Sequence, residues 1–396
     1  MAHLKLIRQA EVYAPRYLGK KDVLIAGTTI AAIDDHIEIN TSVDVEIIEA
    51  WGKYLVPGFV DTHVHITGGG GEGSYRTRTP EIMLSDIISA GITTLVGCLG
   101  TDGTTRTMSN LIAKAHALQE EGITTFVYTG SYEIPVRTVT GSIRDDIVLI
   151  DKIIGVGEIA ISDHRSSQPT VHDVMKIMAD AYVGGMLSGK AGIVNVHVGR
   201  GASKLDILEQ ILSDSELPPT QLLPTHLART YELLMTAARF ARNGGLIDLT
   251  TGTPAQYQPD KMGTAADALN ELLRKDVSIE SISFSSDGQG SIPHFDVNGN
   301  LKAVFVGNVG SLYDEFRKAV FYCDIPLESA LRVVSSNPAH NIKLDNKGQI
   351  KEGCDADMLL LDEHLEIRLV LARGRIMVED GRAIVKGTFE MNQESV

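Results

Sequence analysis

The chain has 396 residues, 43% of them hydrophobic and 22% charged, with a formal net charge of −15 at pH 7. That length accommodates one large domain with a small companion, and the acidic balance, without any Lys/Arg block, argues against nucleic acid and anionic membranes as partners. No apolar run is long enough to span a bilayer, the opening "MAHLKLIRQAEVY" has no signal-peptide pattern, and Cys98, Cys323 and Cys354 form no CxxC pair, so a cytoplasmic protein with reduced, incidental thiols is expected.

Residues 1–55 contain "LKLIRQAEVY" and "KKDVLIAGTTIAAIDD", short alternating strands with turns and no helical period. From 56 onward strand-like and helix-like segments alternate. The strands are "VPGFVDTHVH", "GITTLVGCLG", "ITTFVYTG", "GEIAISDH", "GIVNVHVG", "QLLPTHL", "GLIDLTTG" and "SISFSSDG". Amphipathic stretches such as "TMSNLIAKAHALQEEG" and "TYELLMTAARFARNGG" lie between them, several ending in a glycine suited to a helix C-cap. Eight strands alternating with helices predict an α/β fold, a (β/α)8 TIM barrel over 56–345. Residues 346–390 return to short strands, "DADMLLLDEHLEIRLVLARGRIMVEDGRAIV". Segments 1–55 and 346–396 are therefore expected to meet in one small β-sandwich-like domain.

Active sites of such barrels lie at the C-terminal ends of the strands. Strand one ends in His63-Val64-His65, whose alternation puts both imidazoles on one face. Strand four carries Glu158, strand five His197, strand six His226 and strand eight Asp287. Four histidines and two carboxylates at one barrel mouth form a donor set suited to zinc. Any one of the twelve histidines taken alone is more often structural; the ordered set over five strands is what carries weight. Glu158 heads the apolar run Ile159-Ala160-Ile161, where an unpaired carboxylate would cost several kcal/mol or more. It must be paired, neutral or bound to metal. "GGGGEG" satisfies GxGxxG, but it follows the HxH strand and no acid stands about twenty residues on, so a dinucleotide site is not expected.

These motifs resemble the amidohydrolase superfamily. "GGGGEG", "TGSYEIPVRTVTGS", "AISDHRSS", "LLPTHLAR", "SSDGQGS" and "VKGTFE" resemble, more narrowly, the bacterial isoaspartyl (β-aspartyl) dipeptidases over almost the full length. One departure stands out: the family's bridging ligand is usually a carboxylated lysine, whereas Glu158 occupies that position and Lys152 falls in the preceding helix pattern. Glutamate is shorter by three bonds, so the backbone must approach the metals, and Gly155 and Gly157 permit a bulge there.

The resemblance implies two Zn2+ per subunit, His63 and His65 on one, His197 and His226 on the other, Glu158 bridging and Asp287 completing the first site. A metal-bound hydroxide then attacks the β-carboxamide of a dipeptide, Asp287 carries the proton to the leaving amine, and Tyr132 donates to the oxyanion. Glu72 is expected to bind the substrate ammonium and Arg165 and Arg229 its carboxylates, with Ser291, Gly70 and Thr101 as further substrate contacts. A homo-oligomer, an octamer by resemblance, is expected, with a small dipeptide as the binding partner. Other expectations stay open. One is a hydantoinase, dihydroorotase or N-acyl-amino-acid deacylase, another a single-zinc enzyme, and a third a non-catalytic scaffold protein descended from an amidohydrolase.

Overall fold

A computed structural model describes residues 4–252, 263–295 and 300–390, so residues 1–3 and 391–396 of the expected terminal domain lie outside the described residues. The chain opens with β1 (Leu4–Tyr13), β2 (Tyr17–Ala26), β3 (Thr29–Asp34), β4 (Val45–Glu49) and β5 (Tyr54–Pro57). The barrel strands follow: β6 (Phe59–Val64), β7 (Ile92–Gly97), β8 (Thr124–Thr129), β9 (Ile153–Ile161), β10 (Ile193–Val198), β11 (Leu222–Thr225), β12 (Ile247–Thr250) and β13 (Ile282–Ser285). A hairpin, β14 (Ser291–Phe295) and β15 (Leu301–Val306), comes after the eighth barrel strand. The chain ends in β16 (Met358–Leu361), β17 (Ile367–Ala372), β18 (Arg375–Glu379) and β19 (Arg382–Ala383).

Helices fill the crossovers. They are α1 (Leu84–Ser89), α2 (Met108–Glu121), α3 (Ile143–Leu149), α4 (Val171–Ser188) and α5 (Asp206–Asp214). After these come α6 (Tyr231–Arg242), α7 (Ala265–Arg274), α8 (Ser311–Phe321), α9 (Leu327–Val334) and α10 (Ser336–Asn341). Their limits follow from local chemistry. The Thr107 and Thr230 side chains cap α2 and α6, and Thr170 with Asp173 forms a capping box on α4. At its other end α4 stops at Gly189, which adopts the left-handed conformation (φ 72°).

The barrel is the one expected, strand for strand. A six-stranded parallel sheet runs in the order β11-β10-β9-β8-β7-β6, and β12 pairs with β13. Side and main chains close the two seams. Thr225 Oγ1 donates to Asp248 Oδ2 (2.7 Å) between β11 and β12. On the other side Asp287 N donates to His63 O (3.1 Å) and His65 N to Gly288 O (2.9 Å). The second seam sets Asp287 against the paired histidines of strand one.

Outward-facing Leu95, Val127, Val156, Ile159 and Val196 pack with the helices, whereas Val60, Val96, Tyr128, Ile154 and Leu223 fill the barrel interior. Both chain ends meet in a nine-stranded, mostly antiparallel sheet, order β19-β18-β17-β16-β5-β1-β2-β3 with β4 on β1. The junction is β16 against β5, Leu360 opposite Leu55. This sheet has its own core of Ile7, Val12, Val23, Ile25, Leu55, Met358 and Leu371. Buried Lys347 ties it to the barrel. Its ammonium donates to Asp357 Oδ2 (2.6 Å) and to Thr124 Oγ1 (2.7 Å) at the start of β8.

Candidate metal centre and active site

Every candidate residue read from the sequence lies at the C-terminal end of the barrel strands. His63 is wholly buried at the end of β6 and His65 lies one residue beyond it. Glu158 reaches them because β9 carries an extra residue. Val156 faces Val194 and Ile159 faces Val196, so β9 spends three positions where β10 spends two. Gly157 makes room for this bulge, since a Cβ there would lie 2.8 Å from Asn195 Cβ, and at Gly155 one would lie 2.3 Å from Ile193 O. Lys152 is not in a helix; it sits in the turn between α3 and β9, its ammonium donating to Thr125 O (2.8 Å) and Thr125 Oγ1 (2.9 Å). It is at the opposite end of β9 from Glu158 and cannot stand in for it.

Glu158 is the hub. Its Oε2 lies 3.3 Å from His63 Nε2, 3.0 Å from His197 Nδ1 and 3.6 Å from His226 Nε2, and its Oε1 is 3.3 Å from His65 Nε2. Asp287 Oδ1 is 3.0 Å from His65 Nε2 and 3.7 Å from His63 Nε2. Burial opposes the charge on Glu158, but His63, His197 and His226 outweigh it and hold the carboxyl well below the usual range.

Do these residues fit a metal? Among the described residues, His63 Nε2 and Glu158 Oε1 are buried and make no hydrogen bond, an expensive state that a cation between them would relieve. Two groups of donors each lie within 4.8 Å of one another: His63, His65, Cys98 and Glu158, and Glu158, His197 and His226. Glu158 belongs to both. Imidazole, carboxylate and thiol are zinc-type donors, so the residues fit.

Partners behind the ring set the imidazoles. Asn195 Oδ1 is 3.1 Å from His63 Nδ1 and Thr250 Oγ1 is 2.6 Å from His226 Nδ1, which reserves both Nε2 atoms for the centre. His197 is turned the other way, with Nε2 3.1 Å from Asp163 Oδ2 and Nδ1 facing Glu158. Sequence reasoning missed Asn195, Thr250 and Asp163. The one available signal was the acid of "SDHR", two residues past the end of β9 and two before Arg165. Cys98, read as incidental, was missed as well.

A cavity of about 620 Å³ opens above the centre, lined among others by His65, Gly70, Glu72, Thr101, Tyr132, Arg165, His197, Arg229, Asp287 and Ser291. His63, Glu158 and His226 lie beneath its floor. Glu72 Oε1 accepts from Ser291 Oγ (2.7 Å), Arg165 Nη1 (3.1 Å) and Thr101 Oγ1 (3.3 Å). Arg165 also forks onto Asp163, through Nε at 3.0 Å and Nη2 at 2.8 Å. Burial alone would raise the Asp163 carboxyl, but hydrogen bonds from His197 and Arg165 hold it far below the usual range. Arg229 Nη1 donates to Val198 O (2.8 Å) and lies 3.1 Å from His197 Nε2. Tyr132 OH stands 2.7 Å from His197 Nδ1, and burial pushes its pKa well above the normal phenol value, so it stays a donor.

Comparisons with known proteins identify the family and the fold. Residues 224–392 match the model of the amidohydrolase family. The crystal structure of β-aspartyl dipeptidase from Fervidobacterium islandicum in complex with β-Asp-Leu superposes with a TM-score of 0.92 at 47% identity, covering 97% of this chain and 98% of that one. A second crystal structure of β-aspartyl dipeptidase from the same organism gives 0.88 at 46% identity, over 96% and 98%. N-acetylglucosamine-6-phosphate deacetylase of Lysinibacillus sphaericus is 35% identical over 82 residues, 21% of this chain and 20% of that protein, so the chain spans about a fifth of the curated relative it matches. With near-complete coverage at 47% identity, and a family model that falls on the last barrel strands and the terminal sheet, the chain belongs to the β-aspartyl dipeptidase family of the amidohydrolases.

Proposed function

We propose that the protein hydrolyses β-aspartyl (isoaspartyl) dipeptides with two zinc ions per subunit. The observation that carries this is Glu158, a buried carboxylate shared by two groups of zinc-type donors under a cavity whose lining includes Glu72, Arg165 and Arg229. His63 and His65 would hold one ion, His197 and His226 the other, Glu158 both, and Asp287 is the further expected ligand. When bound, zinc supplies a Lewis acid for the carbonyl and a water acidic enough to attack near neutral pH.

The chain's own groups do the rest. Glu72 offers a carboxylate already organised by Ser291, Thr101 and Arg165, which suits the free α-ammonium of the aspartyl residue. Arg165 and Arg229 suit the two carboxylates of the dipeptide as planar forks. Gly70, backed by the Thr77 carbonyl, lets the glycine loop lie close to the substrate. Tyr132, kept protonated, donates to the oxygen that gains charge. Asp287 accepts the proton of the attacking water and returns it to the leaving amine, acting first as base and then as acid.

The barrel over 56–345 would carry this chemistry and the units 1–55 and 346–396 would buttress it. A homo-oligomer, octameric by family resemblance, is part of the proposal; exposed Trp51, Tyr322 and Phe389 offer apolar surface for it. The setting is cytoplasmic, and among the described residues no helix is long and apolar enough to cross a membrane. A hydantoinase, dihydroorotase or N-acyl-amino-acid deacylase has no need of Glu72 for a free ammonium, and a scaffold protein has no need of the metal donors.

The test is one preparation assayed on β-Asp-Leu and on α-Asp-Leu, with zinc measured on the same sample. Hydrolysis confined to the β-linked isomer with about two zinc per chain is expected. Activity on neither dipeptide with metal present refutes the substrate, and less than about half an equivalent of zinc refutes the metal centre.

A further inference from the structure

Cys98 is wholly buried, immediately after β7. Its backbone N–H donates to Val64 O (3.0 Å), which pins it beside the two histidines of strand one. Its Sγ is 3.8 Å from His65 Nδ1 and 3.7 Å from Val64 O. The sulfur lies within 4.8 Å of donor atoms of His63, His65 and Glu158. In that same pocket His63 Nε2 and Glu158 Oε1 are buried and, among the described residues, without a hydrogen bond.

We infer that Cys98 is a thiolate ligand of the first metal, so that this site is a closed set of His63, His65, Cys98 and Glu158. The inference rests on the two-zinc reading above. Two imidazoles, one thiolate and one carboxylate fill the four positions of tetrahedral zinc, as structural sites do. The second group, Glu158, His197 and His226, supplies three ligands and leaves a position open, as catalytic sites do. The two groups are therefore unequal: four side chains would hold the first ion, and Glu158, His197 and His226 would leave the second with a position for a further ligand. Asp287 is then not needed to complete the first site. It stays 3.0 Å from His65 Nε2, beside the centre and free to carry protons. Binding converts the thiol to a thiolate and releases one proton to solvent for each first-site metal taken up. A soft ligand also narrows the choice of ion towards zinc and away from magnesium or manganese.

X-ray absorption at the zinc edge of the full-length, zinc-loaded protein tests this without any variant. Expected is a sulfur shell at about 2.3 Å with about half a sulfur per zinc, averaged over the two ions. Cys98→Ser and Cys98→Ala should remove that shell, and after dialysis against a chelator each should retain about one zinc fewer per chain than the wild type. Cobalt substitution should give a thiolate-to-metal charge-transfer band that both variants lack. Two zinc ions in a purely nitrogen and oxygen environment would overturn the inference while leaving the dipeptidase reading intact. A sulfur shell that persists in Cys98→Ala would overturn it too, by pointing to Cys323 or Cys354. Absence of bound zinc would overturn both. If the variants do not fold, the wild-type spectrum decides alone.

Discussion

Under the proposed function, Glu72 would set specificity through a single side chain. Three donors, from Ser291, Arg165 and Thr101, converge on one of its oxygens. Its other oxygen, Oε2, is buried and has no hydrogen-bond partner among the described residues, which leaves an acceptor for a substrate ammonium. Glu72→Gln keeps the shape and removes the charge. A hydrogen bond to a charged group contributes about 1.5–3 kcal/mol, so kcat/KM on β-Asp-Leu should fall about ten- to a hundredfold, mostly through KM. The N-acetylated dipeptide has no ammonium and should lose far less. Equal losses on both substrates would show that Glu72 acts through the fold instead. The residues most legible in the sequence were those whose chemistry contradicts their surroundings: His63, His65, Glu158 and Asp287 stand out against apolar strand runs. Asn195, Thr250 and Cys98 were not legible, because a small polar residue or a thiol in a strand is ordinary. Their role depends on which strand lies next to them.

At the scale of the element, β9 is shaped by its glycines. The bulge that turns Glu158 inward requires the backbone of Gly157 to lie against Asn195, and Asn195 in turn holds His63. Gly157→Ala would place a methyl group 2.8 Å from Asn195 Cβ and 2.9 Å from its carbonyl oxygen. The strand must shift, at about 1–3 kcal/mol, and the carboxylate moves with it. A lower urea midpoint together with lost zinc is the expected result; unchanged zinc and activity would mean that the bulge does not set Glu158. The possibility of this bulge was readable from Gly155 and Gly157, its position was not, since register depends on β10. The other end of β9 carries a pH-dependent term. Burial first, and the nearby Arg373 charge second, lower the Lys152 ammonium from 10.5 to about 8. Between about 8 and 10.5 the native chain has released a proton that the unfolded chain still holds, so stability rises with pH through that window. Below it both states are charged and the burial penalty is present in full. Discounted for solvent screening, wild type should gain about 1–2 kcal/mol relative to Lys152→Met between pH 8 and 10.5. Parallel stability curves for the two proteins across that range would remove Lys152 as the source.

For the whole molecule, the eight barrel strands were legible because each is an apolar run that breaks at a polar residue. Pairing in the terminal sheet was not, because β5 finds β16 only after the entire barrel has been threaded between them. That topology ties the stability of the chain to the centre. Strands β6, β9, β10 and β11 each end in a residue that faces Glu158 or carry it, and the seam to β13 is bonded at His63 and His65 themselves. Without a cation, His63 Nε2 and Glu158 Oε1 stay buried and unsatisfied; with one, binding free energy adds directly to folding free energy. Zinc at a thousandfold excess over its dissociation constant contributes about 4 kcal/mol per site. An unfolding entropy near 2.1 cal/mol/K per residue gives about 0.8 kcal/mol/K for a chain of this length, so each site corresponds to about 5 °C in Tm. Chelation should therefore lower Tm by about 5–10 °C in calorimetry, zinc should restore it and magnesium should not, because imidazole nitrogens outnumber carboxylates in both candidate donor groups. A Tm that stays fixed after complete removal of metal would mean that the strand ends are held by the His–Glu contacts alone, and that the centre takes no part in holding the barrel closed.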